Sequence, residues 1–242
     1  MKYSFCTILM LFCTIGAFSQ PTNSSRIAYG LFGEFGFDQT NADFSKLKGI
    51  PNCCPHFSDG SGNGFTIGGF ALKPLSNNFG LALRASLMTQ SGEMKSEEPT
   101  VMIINNTVTN STFEHALKGK FTKIGIDPMV YFEAYENLKL NFGMRFSFKL
   151  SSTYEQKETL LGPDGSFVDE NNNPIGRTRN ISDGDIPNAS AFTAYGLVGL
   201  SYGLPLNRSK NLFFSPMVFY YYDLNSMVTD VSWNINSFHL GL

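Results

Sequence analysis

The stretch "NLKLNFGMRFSFKLSS", residues 137–152, alternates apolar and polar side chains without a break. Seven apolar residues occupy one parity: Leu138, Leu140, Phe142, Met144, Phe146, Phe148 and Leu150. Successive side chains of a β-strand point to opposite faces, so the pattern predicts a strand with one apolar and one polar face. Strands of soluble sheets usually have about five or six residues, whereas a strand that crosses a bilayer needs about nine to eleven. The length favours a membrane-spanning strand.

The same alternation recurs along the chain. It is clear in residues 79–87 and 124–132, and weaker versions cover 26–37, 63–73, 190–204, 211–222 and 231–242. Aromatic residues reach 14% and charged residues only 16%, yet no run of eighteen apolar residues follows the first twenty positions. The composition therefore favours membrane-spanning strands over membrane-spanning helices.

The connections between these strands alternate in length. Short turns, "KPLSNN" (73–78), "EAYENL" (133–138) and "LPLNRSKN" (204–211), alternate with long polar segments at 38–62, 89–112, 151–189 and 223–230. This alternation is typical of outer-membrane barrels, which have tight periplasmic turns and long extracellular loops. We predict an all-β, transmembrane up-and-down antiparallel β-barrel of about eight strands, with long extracellular loops and both termini periplasmic.

One segment leaves the strand number open. "TVMIINNTVTN" (100–110) has the composition of a strand pair and could extend the barrel to ten strands. We interpret it instead as an extracellular extension of two wall strands.

The first residues, "MKYSFCTILMLFCTIGAFSQ", have a basic start, an apolar run and the small-x-small sequence Ala17-Phe18-Ser19. This predicts a signal peptide at 1–19 and a barrel domain at 20–242, located in the outer membrane of a Gram-negative cell. Cleavage would remove Lys2 and leave 17 basic against 20 acidic residues, a formal charge of −3. That balance does not suggest a nucleic-acid partner.

Charged residues also occur at positions that would face the lumen. Counting up from the short turns places Glu34, Arg84, Asp127 and Arg145 at comparable depths, with Lys149 on the same parity and Lys123 and Lys139 nearer the rims. These side chains predict either an ion-selective constriction or a neutralising network that plugs the lumen. In a barrel of eight strands the plugging network is favoured, because charges in a narrow space need partners to offset their desolvation.

Other chemical sites are weakly indicated. His56 lies close to Ser58, Asp59 and Ser61, but sequence neighbours seldom form a nucleophile and its base, so we predict no catalytic residues. Asp169, Asn171 and Asn173 match the first spacings of a calcium loop, but Pro174 and Asn180 stand where glycine and an acid are needed. We expect no metal and no cofactor.

Two adjacent cysteines lie between prolines in "GIPNCCPHFSDGSG", residues 49–62. With Cys6 and Cys13 in the signal peptide, Cys53 and Cys54 would be the remaining cysteines in an oxidising compartment. Their spacing is not that of a structural zinc site. A vicinal disulfide is our prediction, with free thiols or an intermolecular link as alternatives.

Aromatic residues cluster near the last long loop. Tyr220, Tyr221, Tyr222 and Trp233 flank that loop, and we interpret them as an interfacial girdle in preference to a sugar-binding platform.

Several segments carry a family resemblance: "GIPNCCPHFSDGSGNGF", "LKPLSNN", "IGIDPMVYFE", "TYEQKETL", "FVDENNNPIGRTRN", "SDGDIPNAS" and "LPLN". Together they resemble the porin-like outer-membrane β-barrel proteins of Bacteroidota. Some relatives carry an OmpA-like periplasmic domain after the barrel, and the present chain ends at the last predicted strand. The resemblance implies fold and location, and it brings no catalytic residues.

The expected function is a structural or interaction role in the outer membrane, as part of a larger envelope assembly. Outer-membrane lipid and other envelope proteins are the expected partners. A small porin-like diffusion channel is the alternative, and a lipid-modifying enzyme is a third and weaker hypothesis.

Overall fold

The computed structural model describes residues 27–50, 56–104, 107–162, 165–171 and 173–242. The predicted signal peptide at 1–19 and the predicted disulfide between Cys53 and Cys54 lie outside the described residues.

The described residues form thirteen strands. They are β1 (Ala28–Phe44), β2 (Phe57–Pro74), β3 (Phe79–Ile104), β4 (Thr107–Tyr135), β5 (Leu138–Leu161), β6 (Phe167–Val168), β7 (Pro174–Gly176), β8 (Thr178–Asp185), β9 (Phe192–Tyr202), β10 (Leu204–Pro205), β11 (Phe213–Phe214), β12 (Met217–Asp223) and β13 (Ser232–Gly241). Across these ranges no helix is long and apolar enough to cross a membrane.

Eight of the strands close into a ring. The order is β1-β2-β3-β4-β5-β9-β12-β13, and β13 pairs with β1 again. Every neighbouring pair is antiparallel; on β1, for example, Glu34 faces Thr66 of β2 on one side and Gly241 of β13 on the other. Closure gives the backbone groups of the wall strands partners on both sides, which a barrel in lipid requires. The predicted up-and-down barrel of eight strands is confirmed.

The two ends of the barrel differ. At the turn end, Pro74 is followed by β3 at Phe79, and Tyr135 is followed by β5 at Leu138. The same end holds the small β10–β11 hairpin and residue Leu242, whose N–H donates to Gly33 O at 3.0 Å. At the loop end, β1 ends at Phe44 and β2 begins at Phe57, β6, β7 and β8 lie between β5 and β9, and residues 224–231 join β12 to β13, while β3 and β4 form one long hairpin.

The strands are longer at the loop end than the sequence analysis predicted. Residues 38–62 and 89–112 were expected to be loops. In the structure β1 continues to Phe44, β2 begins already at Phe57, and 89–112 is almost all strand. Residues 100–104 pair with 107–111 at the outer end of the β3–β4 hairpin, so the interpretation as an extension is confirmed and the ten-stranded alternative is wrong.

The outer wall carries an apolar belt. On β1 the outward side chains from Tyr29 to Phe37 are apolar or glycine, and beyond them the outward residues are Gln39, Asn41 and Asp43. Large apolar side chains on other strands are about half exposed, such as Leu83 (51%) and Phe142 (46%). A continuous belt of this kind is stable in hydrocarbon and not in water, so the barrel is a transmembrane one.

Beyond the belt, the sheet continues as an extension of four strands. It consists of the outer parts of β3, β4 and β5 together with β8, which pairs with β5 from Thr153 to Thr159. Its outward face is charged, because Lys118 pairs with Glu93 on one side and Glu155 on the other. The change from apolar to charged residues marks where the membrane-spanning part ends.

Candidate functional site: a closed polar lumen

The centre of the lumen holds two ion pairs. Arg145 Nε and Nη2 donate to the two carboxylate oxygens of Asp127, each at 2.7 Å. Arg84 Nη2 donates to Glu34 Oε1 at 2.5 Å, and Arg84 Nε lies 3.6 Å from Asp127 Oδ2. Water reaches at most 4% of any of these four residues. Two acids and two bases therefore neutralise each other out of contact with solvent.

His239 and Tyr221 connect these pairs. His239 Nδ1 lies 3.1 Å from Glu34 Oε2. The Tyr221 hydroxyl accepts a hydrogen bond from Arg145 Nη2 at 3.0 Å and donates to Glu34 Oε2 at 3.4 Å. Neither residue was predicted from the sequence to belong to these pairs. Both alternate with outward residues, Tyr221 between Tyr220 and Tyr222 and His239 between Phe238 and Leu240. This alternation is the sequence signal that could have identified them as inward-facing.

Aromatic rings cover the guanidinium groups. The Arg84 guanidinium lies over the Phe32 ring at 3.7 Å from its centroid and 4.7 Å from that of Phe219. Arg145 lies over Tyr221 at 4.0 Å. Stacking of this kind stabilises a desolvated cation, because the ring face is electron-rich. We call the six residues Glu34, Arg84, Asp127, Arg145, Tyr221 and His239 the central network.

Lys149, which the sequence analysis grouped with these charges, lies elsewhere. Its Nζ donates to Ala189 O at 3.0 Å, at the loop end of the barrel. Lys149 is four residues beyond Arg145 along β5, a separation of about 13 Å in an extended strand. Lys149 and Arg145 share a parity, but Lys149 does not join the ion pairs of the central network.

Lys123 was expected near a rim, and the structure shows it completely enclosed. Its Nζ donates to Tyr195 Oη at 2.7 Å, to Thr193 Oγ1 at 3.1 Å and to Gln90 Oε1 at 3.2 Å. The Tyr195 hydroxyl in turn donates to Gln90 Oε1 at 2.8 Å. Only 1% of Lys123 is exposed. A second polar layer thus lies on the loop side of the central network.

An apolar plug closes the lumen above both layers. Trp233 is fully buried, 5.6 Å from the Phe44 ring centroid and 5.5 Å from that of Phe121. Met94 and Leu117 pack in the same buried cluster. The interpretation of Trp233 and Tyr221 as girdle residues is therefore wrong, since both point inward, whereas Tyr220 and Tyr222 are exposed on the outer wall.

The remaining candidate residues lie near the loop end. His56 Nε2 is 3.7 Å from Asp43, and Ser58 Oγ donates to its neighbour Asp59 at 2.8 Å. The histidine thus lies beside Asp43 and the serine bonds to Asp59, whereas a nucleophile and its base would contact each other. Across the described ranges no group of three or more histidine, cysteine, aspartate and glutamate residues is arranged to hold a metal ion.

Asp169 belongs to a local turn. Its Oδ1 accepts hydrogen bonds at 2.8 Å from the backbone N–H groups of Asn171 and Asn173. The bonds from Asn173 are the main reason that the pKa of Asp169 lies below its usual value. The carboxylate is thus used to shape the turn, as expected for an aspartate in such a segment.

Glu158 lies on the inner face of the extension. Burial alone would raise its pKa, but hydrogen bonds from Asn180 and Arg179 lower it below the ordinary value. Arg179 Nε donates to Glu158 Oε2 at 2.8 Å, and His115 Nδ1 lies 3.5 Å from Glu158 Oε1. The carboxylate therefore links β5 to β8 beyond the membrane through its bond with Arg179, and it lies beside His115 of β4.

The fold and the lumen together define a class, namely transmembrane barrels with a filled interior. No family model matches the chain, and no curated protein matches it.

Two solved structures of one protein are similar in fold. One is Ail, the attachment invasion locus protein of Yersinia pestis, in complex with the heparin analogue sucrose octasulfate (11% identity, 88% of this chain and 94% of that chain, TM-score 0.34). The other is a second structure of Ail (11% identity, 88% of this chain and 95% of that chain, TM-score 0.32). A Pseudomonas aeruginosa FadL homologue is also similar (9%, 90% and 90%, TM-score 0.26).

Proposed function

We propose that the protein is an outer-membrane β-barrel with a structural or interaction role and no transport pathway through its lumen. In this proposal the turn end, where β1 begins and β13 ends, is periplasmic together with both termini, and the loop end is extracellular. Proteins of the cell envelope are the proposed partners, and no catalytic step is assigned to the chain. The proposal agrees with the porin-like resemblance of the sequence in fold and location.

The observation that carries the proposal is the closed lumen. The central network, the layer around Lys123 and the plug around Trp233 follow one another along the barrel, and water reaches almost none of their side chains. Moving an ion through would require breaking the pairs of Arg145 with Asp127 and of Arg84 with Glu34. Removing one partner from such a buried pair costs about 3–5 kcal/mol, which opposes spontaneous opening.

The extension supports an interaction role. It lifts charged side chains of both signs, such as Lys118, Glu93 and Glu155, beyond the belt on a regular sheet. Its β3 edge carries Glu97, Glu98 and Pro99, residue types that prevent uncontrolled pairing with other strands. We therefore assign recognition to the faces of this sheet and not to its edge.

Planar-bilayer recording tests the closed lumen. We expect no stable conductance from the purified protein. A stable single-channel conductance that changes in Arg145→Ala would overturn the proposal in favour of the small porin-like channel.

A pull-down from native membranes followed by mass spectrometry tests the interaction role. Recovery of the protein alone, from several mild detergents, would contradict it.

A further inference from the structure

The β10–β11 hairpin at the turn end continues the barrel wall without a change of register. In the wall, Leu200 of β9 faces Val218 of β12. In the hairpin, Leu204 faces Phe214, and the N–H of Leu206 donates to Leu212 O at 2.8 Å. The hairpin is therefore a two-stranded prolongation of the wall and not an irregular turn.

This prolongation passes beyond the rest of the ring. Tyr202 faces Leu138 in the last pair that joins β9 to β5, and Met217 faces Gly241 near the end of β13. The pairs of Leu204 with Phe214 and of Leu206 with Leu212 lie past that level. Four residues of strand add about 13 Å along its axis.

The outward side chains of the hairpin continue the apolar belt. Along β9 the outward parity runs through Leu200 and Tyr202, and in the hairpin its exposed members are Leu204 (41%), Leu206 (61%), Leu212 (57%) and Phe214 (42%). Burying a side chain of this size is worth about 1.5–3 kcal/mol, so four of them exposed to water would be costly. The same surface a few residues away is the lipid-facing wall.

The tip of the hairpin is basic. Arg208 and Lys210 follow directly after the apolar rows, in a turn that Asn207 organises by accepting the N–H of Asn211 at 3.1 Å. Lys210 Nζ lies 3.2 Å from Glu136 Oε1, but both side chains are about two thirds exposed, at 63% and 67%. Exposed pairs of this kind are weak, which leaves Lys210 able to contact other anions.

We propose that this hairpin is an interfacial anchor for anionic phospholipids. Its apolar rows lie at the boundary of acyl chains and headgroups in the leaflet at the turn end, and Arg208 and Lys210 contact headgroup phosphates. The order along the hairpin, apolar and then basic, is the order in which a leaflet presents hydrocarbon and then phosphate. The proposal rests on the membrane location proposed above.

Depth-dependent fluorescence quenching tests the location. Phe214→Trp is made in a Trp233→Phe background, and the protein is placed in vesicles whose lipids carry bromine at defined acyl positions. We expect quenching of the Phe214→Trp emission by bromine near the headgroup. A reporter at Val101→Trp, 65% exposed near the extension tip, is expected to escape quenching. If Trp233→Phe fails to fold, the same reporters are compared with the unsubstituted parent protein.

A third reporter separates the two proposals. Phe142→Trp lies in the belt and is expected to be quenched by bromine near the bilayer centre. If Phe142→Trp is not quenched, the membrane location itself fails. If Phe142→Trp is quenched and Phe214→Trp emits as a water-exposed indole, only the anchor is overturned.

Lipid selectivity tests the basic tip. The ratio of phosphatidylglycerol to phosphatidylcholine retained by the protein is measured by native mass spectrometry. We expect Arg208→Gln with Lys210→Gln to weaken phosphatidylglycerol binding by roughly fivefold per residue, the effect of one basic group near an anionic surface. Lys46→Gln with Lys48→Gln at the loop end is the matched control. If the two double variants retain phosphatidylglycerol and phosphatidylcholine in the same ratio, the proposal that the hairpin binds anionic lipid is wrong. Copurification of a protein bound to the hairpin in place of lipid would also overturn it.

Discussion

At the scale of single residues, a substitution in the central network should cost more stability than one at another inward-facing charge. Asp127 is 0% exposed, and Arg145 donates a hydrogen bond to each of its two carboxylate oxygens. Replacing Arg145 with Met removes both bonds and leaves the carboxylate buried. We expect a loss of about 3–5 kcal/mol in the free energy of unfolding, measured with urea in detergent micelles. Lys149→Met is the control, and we expect a loss below about 1.5 kcal/mol because it makes a single hydrogen bond at the loop end.

A second substitution checks the cause of that loss. Adding Asp127→Asn to Arg145→Met removes the buried charge that the first change leaves unpaired. We expect the double variant to be more stable than Arg145→Met. A double variant that is less stable would mean that packing, and not charge, dominates at this position.

The carboxylate of Glu158 gives the extension a pH dependence. Its pKa in the folded protein is lower than the ordinary 4.5, so it contributes stability above pH 4.5 that is lost as the pH falls through the lower folded-state value. The protection factors of the β5 and β8 amides against hydrogen exchange, which correct for the intrinsic effect of pH on exchange, should therefore fall on acidification below pH 4.5. Glu158→Gln should remove much of this dependence, and Glu155→Gln on the opposite face should not.

At the residue level, parity combined with a count from the short turns brought together the right charges, whereas parity alone did not. Glu34, Arg84, Asp127 and Arg145 do meet in the structure, since strict alternation identifies inward positions and the count identifies their depth. Lys149 does not join them, because it lies four residues beyond Arg145 on the same strand, about 13 Å toward the loop end, where it donates to Ala189 O. Trp233 was misplaced because the surroundings of an aromatic residue beside a loop depend on how far the strands continue.

At the scale of elements, the barrel wall and the extension are separable. The ring is closed by pairs within the belt, and the outer part of the β3–β4 hairpin is not needed for closure. Lys95 faces Ala116, so joining them through Asn-Gly in place of residues 96–115 forms a two-residue hairpin turn.

We expect this shortened protein to retain its barrel, as shown by its circular dichroism and by a folded form that migrates differently from its own heat-denatured form in gels. The control is Ile126→Pro in the belt, which removes a ladder hydrogen bond between wall strands and should prevent folding. A shortened protein that fails to fold would show that the extension is needed to form the barrel.

The sequence predicted the positions of the wall strands but not all their lengths. Toward the loop end of β4, the outward side chains pass from apolar Ile124 to charged Lys120. The apolar alternation ends there, although the strand continues. Beyond the membrane both faces of a sheet can be polar, and hydrogen bonding to neighbours alone decides where the strand stops. The turns after Pro74 and Tyr135 were located correctly, because they lie directly beside apolar rows.

At the scale of the whole molecule, plug and network are successive barriers. Trp233→Ala removes the largest buried side chain of the plug, and we expect a loss of about 3–5 kcal/mol in the free energy of unfolding. The variant should still show no stable conductance in planar bilayers, because the central network closes the lumen below it. Tyr222→Ala on the outer wall is the control with a smaller effect, since its ring is 55% exposed. An open channel in Trp233→Ala would mean that the plug alone blocks the lumen.

The composition of the central network also bears on how the barrel is assembled. Its members come from β1, β3, β4, β5, β12 and β13, so Glu34 near the start of the chain meets His239 near its end. A hairpin that entered the bilayer before the others would carry Glu34 or Arg84 into hydrocarbon without a partner, at a high cost in free energy. The strands must therefore enter together, or grow from a site that keeps the inner face wet until the first and last strands join.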